Sequence, residues 1–348
     1  MNIDDRTSCR SVPDAMQITG PADLLQAVPY LLGFHPASSL VIVGLDAGVL
    51  VVTVRMDLID LAEPLVLGDA VEAMQRGGAS ELIGVVFDDC PVDPRGGLPW
   101  QGAAERLREE AGRVGCTVID TLFVGARRWW SYSCIDVTCC PPEGRNFDET
   151  TTAFAAAATY AGMVALPDRS ALADVLLPSP AAERDRLGLL IAEHENASVQ
   201  AVLDGRKARY DRSTKRALFA AARVADAAVG SADTEIVSDD DAARFGVDLS
   251  AHPLRDSVWM AVDEGRLDGR RLWAELARRL PSPYDASPLF LYGWCSWRAG
   301  NGALAGIAAE RVVASDPGYS AANLLLAALS RGLDPRRLPR LRRPAPKR

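Results

Sequence analysis

The pattern in this chain best suited to chemistry is Cys134-Ile135-Asp136-Val137-Thr138-Cys139-Cys140, three thiols within seven residues, followed at once by Pro141-Pro142. Thiolates ligate soft metals and exchange disulfides. A structural zinc needs four ligands in a tetrahedron. This segment supplies three, without the C-x2-C spacing of common zinc sites, so Cys90, Cys116 or His35 would have to complete the set. A redox pair is the second reading, with Cys134 meeting Cys139 across a turn, because the neighbours Cys139 and Cys140 join only through a strained ring. The third is structural: cysteines filling small apolar space at the end of a sheet.

A second group of candidates is polar. His35, in the turn Gly33-Phe34-His35-Pro36 with Ser38 and Ser39 close by, could act as a general base or simply hydrogen-bond the loop backbone. Asp57 and Asp88 each follow an apolar run. If those runs are parallel neighbours, their carboxylates could hold a cation or orient a substrate, with Arg127 and Arg128 offering anion contacts. Acids at such places are also ordinary turn and helix-cap residues. Trp129-Trp130 beside the two arginines could stack on a ring, or cover a sheet face. The chain has no G-x-x-x-x-G-K-[ST], no G-x-G-x-x-G after its first strand, no H-E-x-x-H and no G-x-S-x-G elbow.

The elements that would position these residues follow from periodicity and turn chemistry. Residues 22–32 read as a short helix bent by Pro29 and ended by Gly33. Leu40–Leu45, Asp46-Ala47-Gly48 and Val49–Arg55 read as a β-hairpin. A helix near 64–76, a strand 81–87, a helix 101–113 and a strand 117–124 follow, with a further strand at 131–135. These give a mixed sheet built of a hairpin and βαβ crossovers, with helices packed on it. The prolines at 141–142 stop regular structure, so the α/β domain is expected over 17–147. From Asp148 or Thr150 an Ala-rich helix runs to about Val164, opening an all-helical domain over 148–332. Its end, with Trp294, Trp297, Ala299-Gly300-Asn301, Ala308, Ala309, Asp316-Pro317 and Tyr319, resembles a tetratricopeptide helical hairpin and the first helix of another.

Composition bounds the rest. The chain has 348 residues, 48% hydrophobic and 24% charged, which fits two globular domains. Its net charge of −8 is unevenly spread: Arg331–Arg348 carries eight basic residues and one acid, leaving an acidic body. The tail over 333–348, with four prolines, is expected to be extended and solvated, the one place where nucleic acid could be held. No continuous apolar stretch marks an export signal or a membrane span, so a cytoplasmic location with reduced thiols and no membrane partner is expected.

The blocks Leu31-Leu32-Gly33-Phe34-His35-Pro36-x-x-Ser39-Leu40-Val41-Ile42-Val43-Gly44-Leu45, Arg128-Trp129-Trp130-Ser131-Tyr132-x-Cys134 and Cys139-Cys140-Pro141-Pro142-Glu143-Gly144 resemble the domain-of-unknown-function 4192 family of high-GC bacteria. The resemblance spans roughly residues 17–335. It implies no activity, cofactor or catalytic residue. Three functional readings follow. The preferred one is a cytoplasmic interaction or regulatory protein that receives a protein partner. The second is an enzyme acting on a small anionic substrate in a pocket lined by His35, Asp57, Asp88 and Arg128. The third is a thiol or metal sensor, with zinc as the candidate ion, at Cys134, Cys139 and Cys140.

Overall fold

The computed structural model of the chain describes residues 18, 20–93, 97–147, 165–227, 236–336 and 338–341. It divides into two compact units. One runs to Leu172 and includes Ser330–Asp334; the other takes Ala173–Leu329 and the residues from Pro335 onward. The expected Ala-rich helix of residues 148–164 lies outside the described residues. Within the first unit Leu166 forms a parallel bridge with Phe34, its carbonyl accepting from the His35 amide at 2.9 Å.

The first unit opens with α1 (Pro21–Leu32), which carries Pro29 inside its last turn and ends at Gly33 in the left-handed region. A β-hairpin follows, β1 (Ser39–Asp46) with β2 (Val49–Asp57), then a short 3-10 turn and α2 (Val66–Arg76). β3 (Glu81–Phe87), α3 (Gln101–Arg113) and β4 (Thr117–Gly125) form a parallel crossover, and β5 (Arg128–Ser131) and β6 (Arg145–Asn146) complete the edge. The strand order is β2-β1-β3-β4-β5-β6, parallel only between β3 and β4. β1 is an interior strand between β2 and β3, and it is buried on both faces from Ser39 to Gly44. That explains an uninterrupted apolar run where a half-exposed strand would alternate. On one face Leu40, Ile42, Leu82 and Val86 pack with Leu67, Val71 and Met74 of α2 and Leu107 of α3. Gly84 lets that helix approach: a Cβ there would lie 2.6 Å from Leu107 Cδ2.

The expected strand at 131–135 is displaced. The strand is Arg128–Ser131, and Ser131 then ends it: its hydroxyl accepts from the amides of Ser133 at 3.1 Å and Cys134 at 3.0 Å, turning the chain off the ladder.

The second unit is helical among its described residues, with α4 (Arg169–Asp174) spanning the division. It contains α5 (Ala181–Leu203), α6 (Lys207–Ala227), α7 (Asp239–Ser250), α8 (His252–Asp263), α9 (Arg270–Arg279), α10 (Ala286–Arg298), α11 (Gly302–Ser315) and α12 (Ser320–Ser330). α10 is the core helix, buried continuously from Ala286 to Trp297. It meets α11 closely because Gly293 has no side chain; a Cβ there would lie 3.2 Å from that of Ala308. Asp316 turns the chain into α12, its carboxylate accepting the Gly318 amide at 2.9 Å.

The beginning of the basic tail differs from the expectation of a solvated end. Pro335, Leu338, Arg340 and Leu341 are hydrogen-bonded to α8, α10 and the residue that follows α8, because that unit presents a buried carboxylate and a guanidinium to them. Residues 342–348 lie outside the described part. No described helix is long and apolar enough to cross a membrane.

The β1–β2 turn is a two-residue loop, Ala47 at φ 49° and Gly48 at φ 76°, the twist that suits a hairpin. A Cβ at Ala47 is strained there, whereas asparagine tolerates this region. Ala47→Asn is expected to stabilise the first unit by about 1 kcal/mol in chemical denaturation; an unchanged midpoint would show that the turn carries no such strain.

Candidate functional site

The cysteine segment forms a loop between β5 and β6 in which prolines at 141 and 142 remove amide donors and forbid a ladder. Its backbone is held by side chains. Asp120 on β4 accepts from the hydroxyls of Ser131 at 2.8 Å and Ser133 at 2.5 Å, fixing the start of the loop. Asp136 then makes a tight turn. Its carboxylate accepts from the Thr138 amide at 2.8 Å and hydroxyl at 2.7 Å, and its carbonyl accepts from the amides of Cys139 at 3.1 Å and Cys140 at 2.6 Å. The Thr138 hydroxyl bond, first among these, holds the Asp136 carboxyl below its ordinary range.

The returning half is pinned by three donors. Arg128 gives Nη1 to the carbonyls of Glu143 at 3.0 Å and Gly144 at 2.9 Å. Trp130 gives Nε1 to Pro142 at 3.0 Å. Arg145 donates Nε to the Cys139 carbonyl and Nη2 to that of Thr138 at 3.2 Å. Trp130 itself leans on Phe123 of β4, ring centroids 5.7 Å apart. Gly144, at φ 76°, lies flat against this indole; a Cβ would sit 2.3 Å from the ring. Beside the loop is a shallow open depression of about 310 Å³, bordered by Ala22, Trp129, Thr138, Pro141 and Arg145.

The consequence is convergence of the three thiols. The Sγ atoms of Cys134, Cys139 and Cys140 all lie within 4.8 Å of one another. Cys139 is exposed, and the other two are half-buried. Partial burial, reinforced by thiol hydrogen bonds to Cys134 and Cys139, pushes the Cys140 thiol up to about 12. Cys90, Cys116 and His35, the expected sources of a fourth ligand, do not join the group. Cys116 is buried, donating to the Ala79 carbonyl at 3.3 Å, and the exposed Cys90 thiol is raised by its bond to Asp88. Between Cys134 and Cys139 the loop tip exposes Ile135 (97%) and Val137 (65%).

The polar candidates share one end of the sheet without forming one site. β2 and β3 run in the same direction, but β1 lies between them, so Asp57 and Asp88 are not on adjacent strands. Arg128 lies two strands beyond β3. At roughly 4.8 Å per strand, the places of Asp57 and Arg128 are about 19 Å apart, beyond one-water reach. Each has a local partner. Asp57 pairs with Arg55 at 2.6 Å, and that guanidinium also donates to Ser39 Oγ at 2.8 Å. Asp88 accepts from Trp100 Nε1 at 2.7 Å, and Arg128 is committed to the cysteine loop. His35 is fixed through its backbone to Leu166.

Sequence reading missed Asp120, Asp136 and Arg145 as loop-positioning residues. The signal available was local: Ser-x-Ser directly after a strand, and Asp-x-Thr directly before the paired cysteines, are side-chain-to-backbone turn formers.

Two outcomes test this geometry. Gly144→Ala must displace Trp130 and strain the backbone, so it is expected to cost about 2–4 kcal/mol and to shift tryptophan fluorescence; a silent substitution would refute the packing. Near pH 8, iodoacetamide is expected to label Cys139 well before Cys140, as read by peptide mass spectrometry; equal rates would contradict the greater exposure of Cys139 and the raised Cys140 thiol.

The family model described as domain of unknown function (DUF4192) matches residues 21–336. Searches of the curated proteins and of the solved structures found no match. With the match covering the sheet, the cysteine loop and the helices through α12, the chain belongs to the DUF4192 family.

Proposed function

We propose that the chain is a cytoplasmic regulatory protein that binds one thiophilic d10 cation, zinc foremost, at Cys134, Cys139 and Cys140, and conveys its occupancy to a protein partner through the loop. The observation that carries this reading is the mutual approach of the three Sγ atoms within 4.8 Å. With Zn–S bonds near 2.3 Å, tetrahedral ligands lie about 3.8 Å apart, so closure requires a contraction of at most about 1 Å within one loop. Thiolate ligands select zinc or copper(I) over hard cations. Three protein ligands leave one coordination position for solvent or for a side chain of the partner.

The loop construction favours a responsive site over a purely structural one. Cys139 is exposed, and Ile135 and Val137 project from the same turn, so contraction about an ion would move an apolar tip that has no packing of its own. The Cys140 thiol, held up to about 12, is protonated at neutral pH. Ligation must expel its proton, so apparent affinity should rise as the pH is raised from about 6 to about 8.

The test is metal content by mass spectrometry, with a free-thiol count, on chain purified anaerobically without chelator. One zinc per chain is expected, lost in Cys139→Ser/Cys140→Ser, with binding that tightens at higher pH. A metal-free chain with reduced thiols that fails to compete with a zinc-chelating dye would overturn the reading.

A further inference from the structure

In the helical unit, an ion pair at the ends of two helices meets the main chain of the tail. α8 and α10 end in Asp263 and Arg298, and the Asp263 side chain is wholly inaccessible to solvent. Its Oδ1 accepts from Trp294 Nε1 at 3.0 Å and from Arg298 Nε at 2.6 Å. The guanidinium lies over the rings of Trp294 and Trp297, 5.5 and 5.8 Å from their centroids. It is thereby fixed by an ion pair on one side and aromatic faces on the other.

The groups left over point at main-chain atoms of the tail. Arg298 Nη1 donates to the carbonyls of Pro335 and Leu338, the latter at 3.3 Å, and Asp263 Oδ2 accepts from the Leu341 amide. Leu338 adds an apolar contact with the core, and Arg340 donates to the Glu264 carbonyl. Gly265 keeps that approach open, since a Cβ there would lie 2.7 Å from Arg340 Nη1. Without such a segment, a buried carboxylate oxygen and a fixed guanidinium nitrogen would each lose their partner, a costly state for the folded unit.

We propose that the ends of α8 and α10 form a binding site for a peptide of Leu-Pro-Arg-Leu character entered through a turn, and that residues 335–336 and 338–341 occupy it as an intramolecular ligand. The partner that fits is a protein carrying a basic, proline-containing segment of the same kind, which must displace the tail to bind. The shared Arg298 nitrogen sets the turn between Pro335 and Leu338, while Leu338 and Arg340 mark the two side-chain positions that select the peptide. The inference is independent of the cysteine loop.

The experiment uses the full chain. Leu338→Glu/Arg340→Glu is made to release the tail, and a fluorescent peptide of residues 333–341 is titrated by anisotropy. The released variant is expected to bind the peptide saturably, at least tenfold more tightly than the wild type, whose site is filled. Arg298→Lys in the released background keeps a cation beside Asp263 but removes the fork, and is expected to lose binding. In the wild type, the Leu341 amide should exchange hydrogen slowly, and Arg298→Lys should speed its exchange. Equal peptide affinity in the wild type and a folded released variant, or a Leu341 amide that exchanges as fast as a free chain, would overturn the proposal.

Discussion

A segment that can form neither helix nor ladder must find other partners for its backbone, and between Tyr132 and Gly144 these are its own turns together with side chains anchored in the sheet. Asp120 supports it from β4, Arg128 and Trp130 from β5, and Arg145 from β6. Each sits on a strand whose place is fixed by the buried centre of the sheet, so the loop inherits its precision from β1, β3 and β4. The approach of three sulfurs is an outcome of that dependence: Asp136 gathers Cys139 and Cys140 under its carbonyl, and Ser131 holds Cys134 at the other end of the turn.

The same logic appears in the helical unit with the polarity reversed. There the helices are regular and the apolar packing is continuous around α10, yet a carboxylate, Asp263, is buried at a helix end. Burial of a charge is tolerated only when it is paired and hydrogen-bonded, and the pairing draws in Arg298, Trp294 and a main-chain amide of the tail. In one unit side chains discipline an irregular loop; in the other a buried ion pair recruits an irregular tail. Asp248 marks a contrasting case on α7: it is buried, and that burial, opposed by the Thr214 hydroxyl, raises its carboxyl, which favours the neutral form.

Sequence periodicity located the regular elements well because burial wrote them plainly. The apolar run of β1, the β3 limits at Glu81 and Phe87, and the α3 limits at Gln101 and Arg113 all match expectation. The strand near Ser131 was misplaced because β5 is announced by Trp129 and Trp130, while Ser131 spends its side chain stopping the ladder. The thiols were visible as candidates, but their convergence was not, since it depends on Asp120 and Arg145, whose residue types alone indicate nothing about a loop. Likewise, proline and arginine enrichment read the tail as solvated, whereas it is held by Arg298, some forty residues earlier, and by Asp263 and Glu264, nearly eighty residues earlier, separations that local pattern cannot span.

Cobalt(II) reports directly on whether three sulfurs of one loop close on one ion. Titrated into the intact, reduced chain and followed optically, it should saturate at one equivalent, with thiolate-to-cobalt charge transfer of three-sulfur intensity and the strong visible bands of a tetrahedral site, both bleached by zinc. Weak octahedral bands with no sulfur charge transfer would show that the thiols are near one another without forming a metal site.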